Sequence, residues 1–193
     1  MIINKVYHLA DLHIRNLQRH KEYRLVFKKF LKQVKEDKIE DSLIYLAGDI
    51  AHAKTEMSPE LIHEISWFLT ECAKLRETVV ITGNHDCNLN NSHRLDVLTP
   101  IIDNLNNDRI HYLRDTGVYN IYNLTFCVYS ILDDKENWPK GNTVVGENTI
   151  CLFHGPVNKA QTGTEVHTVN QLSFIIFPVV QLNRTILSAK EEA

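Results

Sequence analysis

Read for apolar and polar positions, the chain alternates two kinds of stretch up to about residue 155. Short apolar runs recur at residues 6–10, 42–47, 79–82 and 149–153. They are rich in Val, Ile and Leu at successive positions, the pattern of strands buried on both faces. Between the first three lie longer stretches with apolar residues every three or four positions. Tyr23, Val26, Phe27, Phe30, Leu31 and Val34 form one such stripe and predict a helix over about 16–37. Leu61, Ile65, Phe68, Cys72 and Leu75 form a second, begun by Ser58 as N-cap and Pro59 in the first turn. A helical segment from His93, restarted at Thr99-Pro100, packs Leu98, Ile101, Ile102 and Leu105 inward. From Ile110 the texture changes. Short β-rich runs at 110–113, 117–121 and 124–131, parted by turn residues, predict antiparallel strands and hairpins. The polar stretch 133–142 reads as a loop.

The apolar runs share a feature at their ends. Residues 6–10 end in Asp11-Leu12-His13, and 42–47 end in Gly48-Asp49-Ile50-Ala51-His52. Residues 79–82 end in Gly83-Asn84-His85-Asp86, and 149–153 end in His154-Gly155. Polar groups delivered by buried strands need a partner or a task. In extended chain, residues two apart face the same side, so Asp11 and His13 are expected to point together. His8 is out of step with Asp11 and is expected as a core or second-layer histidine. Sites in open α/β sheets form outside the carboxyl ends of the strands. Oxygen and imidazole ligands without thiolate suit Mn(II), Fe or Zn. Two such cations need a bridging carboxylate, and Asp49 is the natural bridge. His93 and Arg94 are expected on a surface loop.

Composition narrows this picture only slightly. The 193 residues are 44% hydrophobic and 23% charged, ordinary for a globular domain. A net charge of -3 gives no global basic field. Locally, however, residues 15–38 hold nine Lys or Arg against three acids. That surplus belongs either to a solvated helix face or to a surface that meets a polyanion such as DNA. Cys72, Cys87, Cys127 and Cys151 are spread out and are expected as free thiols. No signal peptide or membrane-length apolar run is read, so an intracellular, reducing compartment is expected.

Asp-x-His, Gly-Asp, Gly-Asn-His-Asp and His-Gly, in this order and each after an apolar strand, resemble the calcineurin-like metallophosphoesterase superfamily. The resemblance covers about residues 1–155. It implies a four-layer α/β/β/α sandwich around two divalent metal ions, Mn(II) by preference. Asp11, His13 and Asp49 would hold the first metal, and Asp49, Asn84 and His154 the second. His85 would be the proton donor or charge stabiliser at the leaving oxygen, with Asp86 orienting its ring. His52, three residues after Asp49, is similar to the SbcD-like DNA repair nuclease branch, and would contact the scissile phosphate. That branch acts on DNA with an SMC-like ATPase partner, needs no membrane, and leaves a homodimer open.

The superfamily's later Gly-His-x-His does not follow. Only His167 comes after His154, and it lacks the motif. The expected organisation is an incomplete metallophosphoesterase domain over 1–169 with a divergent tail over 170–193. The leading expectation is DNA phosphodiester hydrolysis in repair or recombination. The alternatives are a phosphatase acting on a phosphomonoester or small phosphodiester, and an inactive scaffold subunit.

Overall fold

The computed structural model describes residues 1–54, 56–91, 93–140, 148–157, 161–162, 165–166 and 169–176, with side chains as far as residue 155. His167 and residues 177–193 lie outside the described residues.

Four strands, β1 (Lys5–Leu9), β2 (Ser42–Leu46), β3 (Glu77–Val80) and β4 (Ile110–Tyr112), form a parallel sheet in that order. Parallel neighbours need crossovers. Helices α1 (His20–Glu36) and α2 (Pro59–Leu75) supply the first two, and short α3 (Thr99–Leu105) the third. Their apolar stripes pack on one face of the sheet. Phe27, Val34, Ile65 and Phe68 meet Tyr7, Ile44, Leu46 and Val80 there, with the Phe27 and Phe68 rings stacked at 4.0 Å. Side chains alternate across a strand, so Leu43, Tyr45, Val79 and Ile81 face the other way. They pack on Phe126, Val128, Ile150 and Leu152 of a second sheet. That sheet runs in the order β10 (Val169–Ile176), β7 (Thr149–Val157), β6 (Leu124–Tyr129), β5 (Gly117–Ile121). A two-stranded ribbon, β8 (Gln161–Thr162) with β9 (Glu165–Val166), precedes β10. Among the described residues the layers are thus helix, sheet and sheet.

The structure corrects several expected boundaries. The first helix starts at His20 rather than near residue 16, because Leu17 and Arg19 take left-handed angles and turn the chain. Val26, placed in its stripe, is 54% exposed. The third strand begins two residues early, at buried Glu77 and Thr78. Glu77 is sheltered by Arg109 at 3.1 Å and His111 at 2.8 Å, so its charge belongs inside the sheet. Residues 93–98 are turns and bends, not helix; Leu98 is the N-cap of α3, and Asp96 braces the turn before it. Its Oδ1 accepts the N–H groups of Leu98 (2.9 Å) and Thr99 (2.8 Å). The run after Ile110 is not wholly antiparallel either. β4 closes the parallel sheet, while β5 and β6 do form the expected hairpin. Among the described residues no helix is long and apolar enough to cross a membrane. All four cysteines are free.

His8 is half-buried, at the margin of the core rather than within it. Its ring stacks on Tyr45 at 5.1 Å, and its Nε2 is buried without a hydrogen-bond partner. Burial holds the ring down at about 4. The folded group therefore ionises below its unfolded counterpart. Between pH 6.5 and 4 the unfolded chain binds the extra proton, so this contribution to stability is lost as pH falls through that window. His8→Phe should flatten the acid side of the stability curve by up to roughly 3 kcal/mol. Urea midpoints at pH 7 and pH 4.5 check this. Parallel losses in both proteins would rule His8 out.

Candidate metal centre

The loops leaving β1 and β2 run on side by side after the ladder ends. Asp11 N–H donates to Gly48 O at 3.2 Å, His13 N–H to Asp49 O at 2.9 Å and Ile14 N–H to Ile50 O at 2.9 Å. This zipper holds Asp11 and His13 against Asp49. The two are not extended, as the i, i+2 argument had it. Asp11 (φ 55°), His13 (φ 45°) and Asp49 (φ 51°) are all left-handed, a conformation that costs energy in non-glycine residues and gathers at functional sites. The convergence is nevertheless real. One ligand atom from each of Asp11, His13 and Asp49 lies within 4.8 Å of the others.

Gly48 and Gly83 make the next approach. Gly48 is left-handed at φ 88°, and a Cβ there would meet Gly83 Cα and His154 Nδ1, each at 2.8 Å. The loops after β2 and β3 therefore touch backbone to backbone. His85 N–H donates to Asp49 Oδ1 at 2.7 Å, fixing one oxygen of a fully buried carboxylate. The other, Oδ2, is buried with no hydrogen-bond partner. It faces His154 Nε2 at 3.3 Å and His13 Nε2 at 3.6 Å.

His154 lies inside β7, which continues to Val157, rather than at a strand end. Its Nδ1 donates to Ala47 O at 2.7 Å, since a carbonyl can only accept. In the neutral ring, Nε2 then carries a lone pair, aimed at Asp49 Oδ2 and at Asn84 Oδ1, 3.2 Å away. Lone pairs crowded together in a buried place repel unless a proton or a cation lies between them. Burial pulls His154 down, but Asp49 and the Ala47 carbonyl outweigh it and raise the ring's proton affinity. Burial likewise pushes Asp49 up, and the His154 ring and His85 N–H more than offset it. Asp11 is raised by burial, and His13 is lowered by it. Two carboxylates, an amide oxygen and two imidazoles around an orphaned buried oxygen fit divalent cations of the Mn, Fe or Zn kind.

At the mouth stand His13, His52 and His85, with one ligand atom from each within 4.8 Å of the others. The His13 and His85 rings are perpendicular with centroids 4.7 Å apart. His52 is exposed, with its Nδ1 3.4 Å from His13 Nδ1. The His85 ring is not held by Asp86. Its Nδ1 donates to the His52 carbonyl at 2.9 Å, which leaves Nε2 for the site. Asp86 is fully buried and turned inward. Its Oδ1 accepts Ala51 N–H at 2.8 Å and its Oδ2 accepts Gly83 N–H at 2.9 Å. Burial pushes this carboxyl up to about 7 against those bonds. Asp86 is a stitch between two loops. Asp86→Asn would set an amide donor against a backbone donor, at a cost of about 1–3 kcal/mol. A drop in thermal midpoint should show it, with His85 left in place. An unchanged midpoint would discount the stitch.

The carbonyls of Ala47 and His52 are working parts that side-chain patterns cannot reveal. His93 and Arg94 are exposed, as expected of a loop.

A family model described as calcineurin-like phosphoesterase matches residues 4–182. An uncharacterized protein of Acanthamoeba polyphaga mimivirus is 43% identical over 173 residues, covering 83% of this chain and 13% of that protein. The chain thus spans about one eighth of the length of that curated relative. Among solved structures, the Pseudomonas putida nuclease MPE superposes with a TM-score of 0.41 at 17% identity, over 65% of this chain and 53% of that one.

Proposed function

The chain belongs to the calcineurin-like phosphoesterase family, hydrolases that act on phosphoester bonds with the help of metal, and from that premise we propose that it is a nuclease cleaving DNA phosphodiester bonds. The observation that carries the metal requirement is Asp49 Oδ2, a buried carboxylate oxygen without a hydrogen bond between two imidazole nitrogens. Asp11, His13 and Asp49 would hold one cation, Asp49, Asn84 and His154 another, with Mn(II) the preferred ion. Bound there, the cations would neutralise phosphoryl charge and lower the pKa of an attacking water.

The chain's own residues do the rest. Asp49 is locked by the His85 N–H, so its free oxygen stays central. His85 presents Nε2 and, as the imidazolium with its Nδ1–H held by the His52 carbonyl, would give the Nε2 proton to the leaving oxygen and end as the neutral ring. His52, exposed beside it, would bind a non-bridging oxygen of the scissile phosphate. An imidazole pair over the centre suits a diester, whose leaving group is a poor one and needs a proton. The SbcD-like repair nucleases are the branch this reading favours, and an SMC-like ATPase is the partner it implies.

The test is hydrolysis of labelled single- and double-stranded DNA with Mn(II), beside bis(p-nitrophenyl) phosphate and p-nitrophenyl phosphate. Cleavage of DNA and of the diester is expected, abolished by chelator and restored by Mn(II). Turnover of the monoester alone would replace the nuclease reading with a phosphatase. No turnover together with no Mn(II) binding would leave a scaffold.

A further inference from the structure

The strongest charge feature outside the centre is one face of α1. Lys21, Lys28, Lys32 and Lys35 are all exposed and follow one another at spacings of seven, four and three residues. On a helix those spacings return to the same side. They form one stripe, about a quarter turn round the helix from the face that buries Phe27, Leu31 and Val34. Leu25 lies in the same stripe and is 58% exposed. The acids nearby are largely engaged elsewhere. Glu22 pairs with Arg19, Asp37 with Lys5, and Glu64 with Arg24. Glu36 alone reaches the stripe, at 3.6 Å from Lys32. Among the described residues no carboxylate forms an ion pair with Lys21, Lys28 or Lys35. Four lysines held along one side of a rigid rod, with one carboxylate among them, repel one another, and an anion between them relieves this.

The stripe is also placed with respect to the centre. Tyr23, in the first turn of α1, donates its hydroxyl to the His13 carbonyl at 2.7 Å. The helix therefore starts beside the metal-ligand loop and runs away from it. From Lys21 to Lys35 is fourteen residues, about 21 Å of helix. Duplex DNA rises about 3.4 Å per base pair along each strand, so the stripe matches roughly six base pairs.

We propose that this lysine stripe is a track for the duplex beside the cut, holding its phosphates without reading sequence. The proposal rests on the nuclease reading above and names the part of the substrate that the centre itself does not touch. A phosphate track favours the duplex over a membrane surface, because a helix lying in lipid needs a broad apolar face. The face of α1 that is broadly apolar is buried against the sheet.

The test compares wild type with K21Q/K28Q/K32Q/K35Q, using fluorescence anisotropy on a duplex of about twenty base pairs, in Ca(II), between 50 and 200 mM salt. At about 0.9 per phosphate contact, the salt slope should fall by roughly 3.6, with weaker binding at every salt concentration. The matching four-Arg variant should keep the slope. Turnover of bis(p-nitrophenyl) phosphate in Mn(II) should be unchanged in both, which also shows that the centre is folded. An unchanged slope and affinity in the Gln variant would overturn the track. So would loss of sedimentation with phosphatidylserine vesicles while DNA binding held. Failure of the wild type on every phosphodiester would sink the nuclease reading instead, and the anisotropy series would still decide the track on its own.

Discussion

Gly83→Ala is expected to abolish Mn(II) binding and hydrolysis together. A Cβ at residue 83 would lie 2.1 Å from Asp49 N and 2.2 Å from Asp49 Oδ1. Those contacts are far inside van der Waals range, and the nearest atom is backbone. It cannot swing aside as a flexible side-chain tip could. The loop after β3 would have to back away from the loop after β2. That movement opens the bonds from His85 N–H to Asp49 Oδ1 and from Ala51 N–H to Asp86 Oδ1. It also carries Asn84 away from His154. The first consequence is overpacking of at least about 1–3 kcal/mol. The second is a metal site spread past its working distances. Loss of one outer partner of a ligand typically costs 10–100-fold in metal affinity, and this change disturbs several at once. Calorimetry with Mn(II) and a thermal melt would measure both effects. Gly117→Ala is the control. The atoms nearest a Cβ there belong to the Tyr119 side chain, the first at 3.2 Å, and a side chain can give way. Wild-type Mn(II) stoichiometry in Gly83→Ala would show that the loops do not depend on this approach.

How far the sequence could foretell this arrangement differs from part to part. Asp49 and Asn84 were legible because each directly follows an apolar run and a glycine, where a buried strand hands the chain to a loop. His154 was legible as a residue, although its strand continues beyond it. The pairing of Asp11 with His13 was foreseen for the wrong reason. Extended alternation would have aligned them, but left-handed turns at Asp11 and His13 do so instead. Backbone angles of that kind leave no trace in apolar periodicity. Asp86 was misread for a related reason. An acid next to a histidine suggests a side-chain pair, whereas the fold spends both carboxyl oxygens on backbone N–H groups. The role passed to the His52 carbonyl, and every residue has one. Glu77 shows the same limit in the fold. A charged residue at a strand start reads as loop until Arg109 and His111, more than thirty positions away, are known to cover it. The parallel placement of β4 was out of reach too, since three residues carry too little pattern to choose a neighbour.

His85→Ala is expected to separate chemistry from metal binding. The interaction that ties residue 85 to the centre is its backbone N–H on Asp49 Oδ1, and alanine keeps it. The Asp49 carboxylate should therefore hold its place, and Mn(II) titration should give the wild-type stoichiometry. What disappears is the imidazole that the His52 carbonyl orients. If Nε2 protonates the leaving oxygen, turnover on DNA should fall by about 10²–10⁴, the usual contribution of a positioned acid. The loss should depend on the leaving group. A DNA alkoxide needs a proton as the bond breaks, and a nitrophenolate hardly does. Turnover of bis(p-nitrophenyl) phosphate should thus suffer much less than cleavage of DNA. Equal losses on both substrates would assign His85 to charge stabilisation instead of proton transfer. Loss of Mn(II) binding would make it a ligand or a structural support. His52→Ala offers the comparison. It keeps the carbonyl that holds the His85 ring and removes only the exposed imidazole, so its defect should fall on both diesters alike.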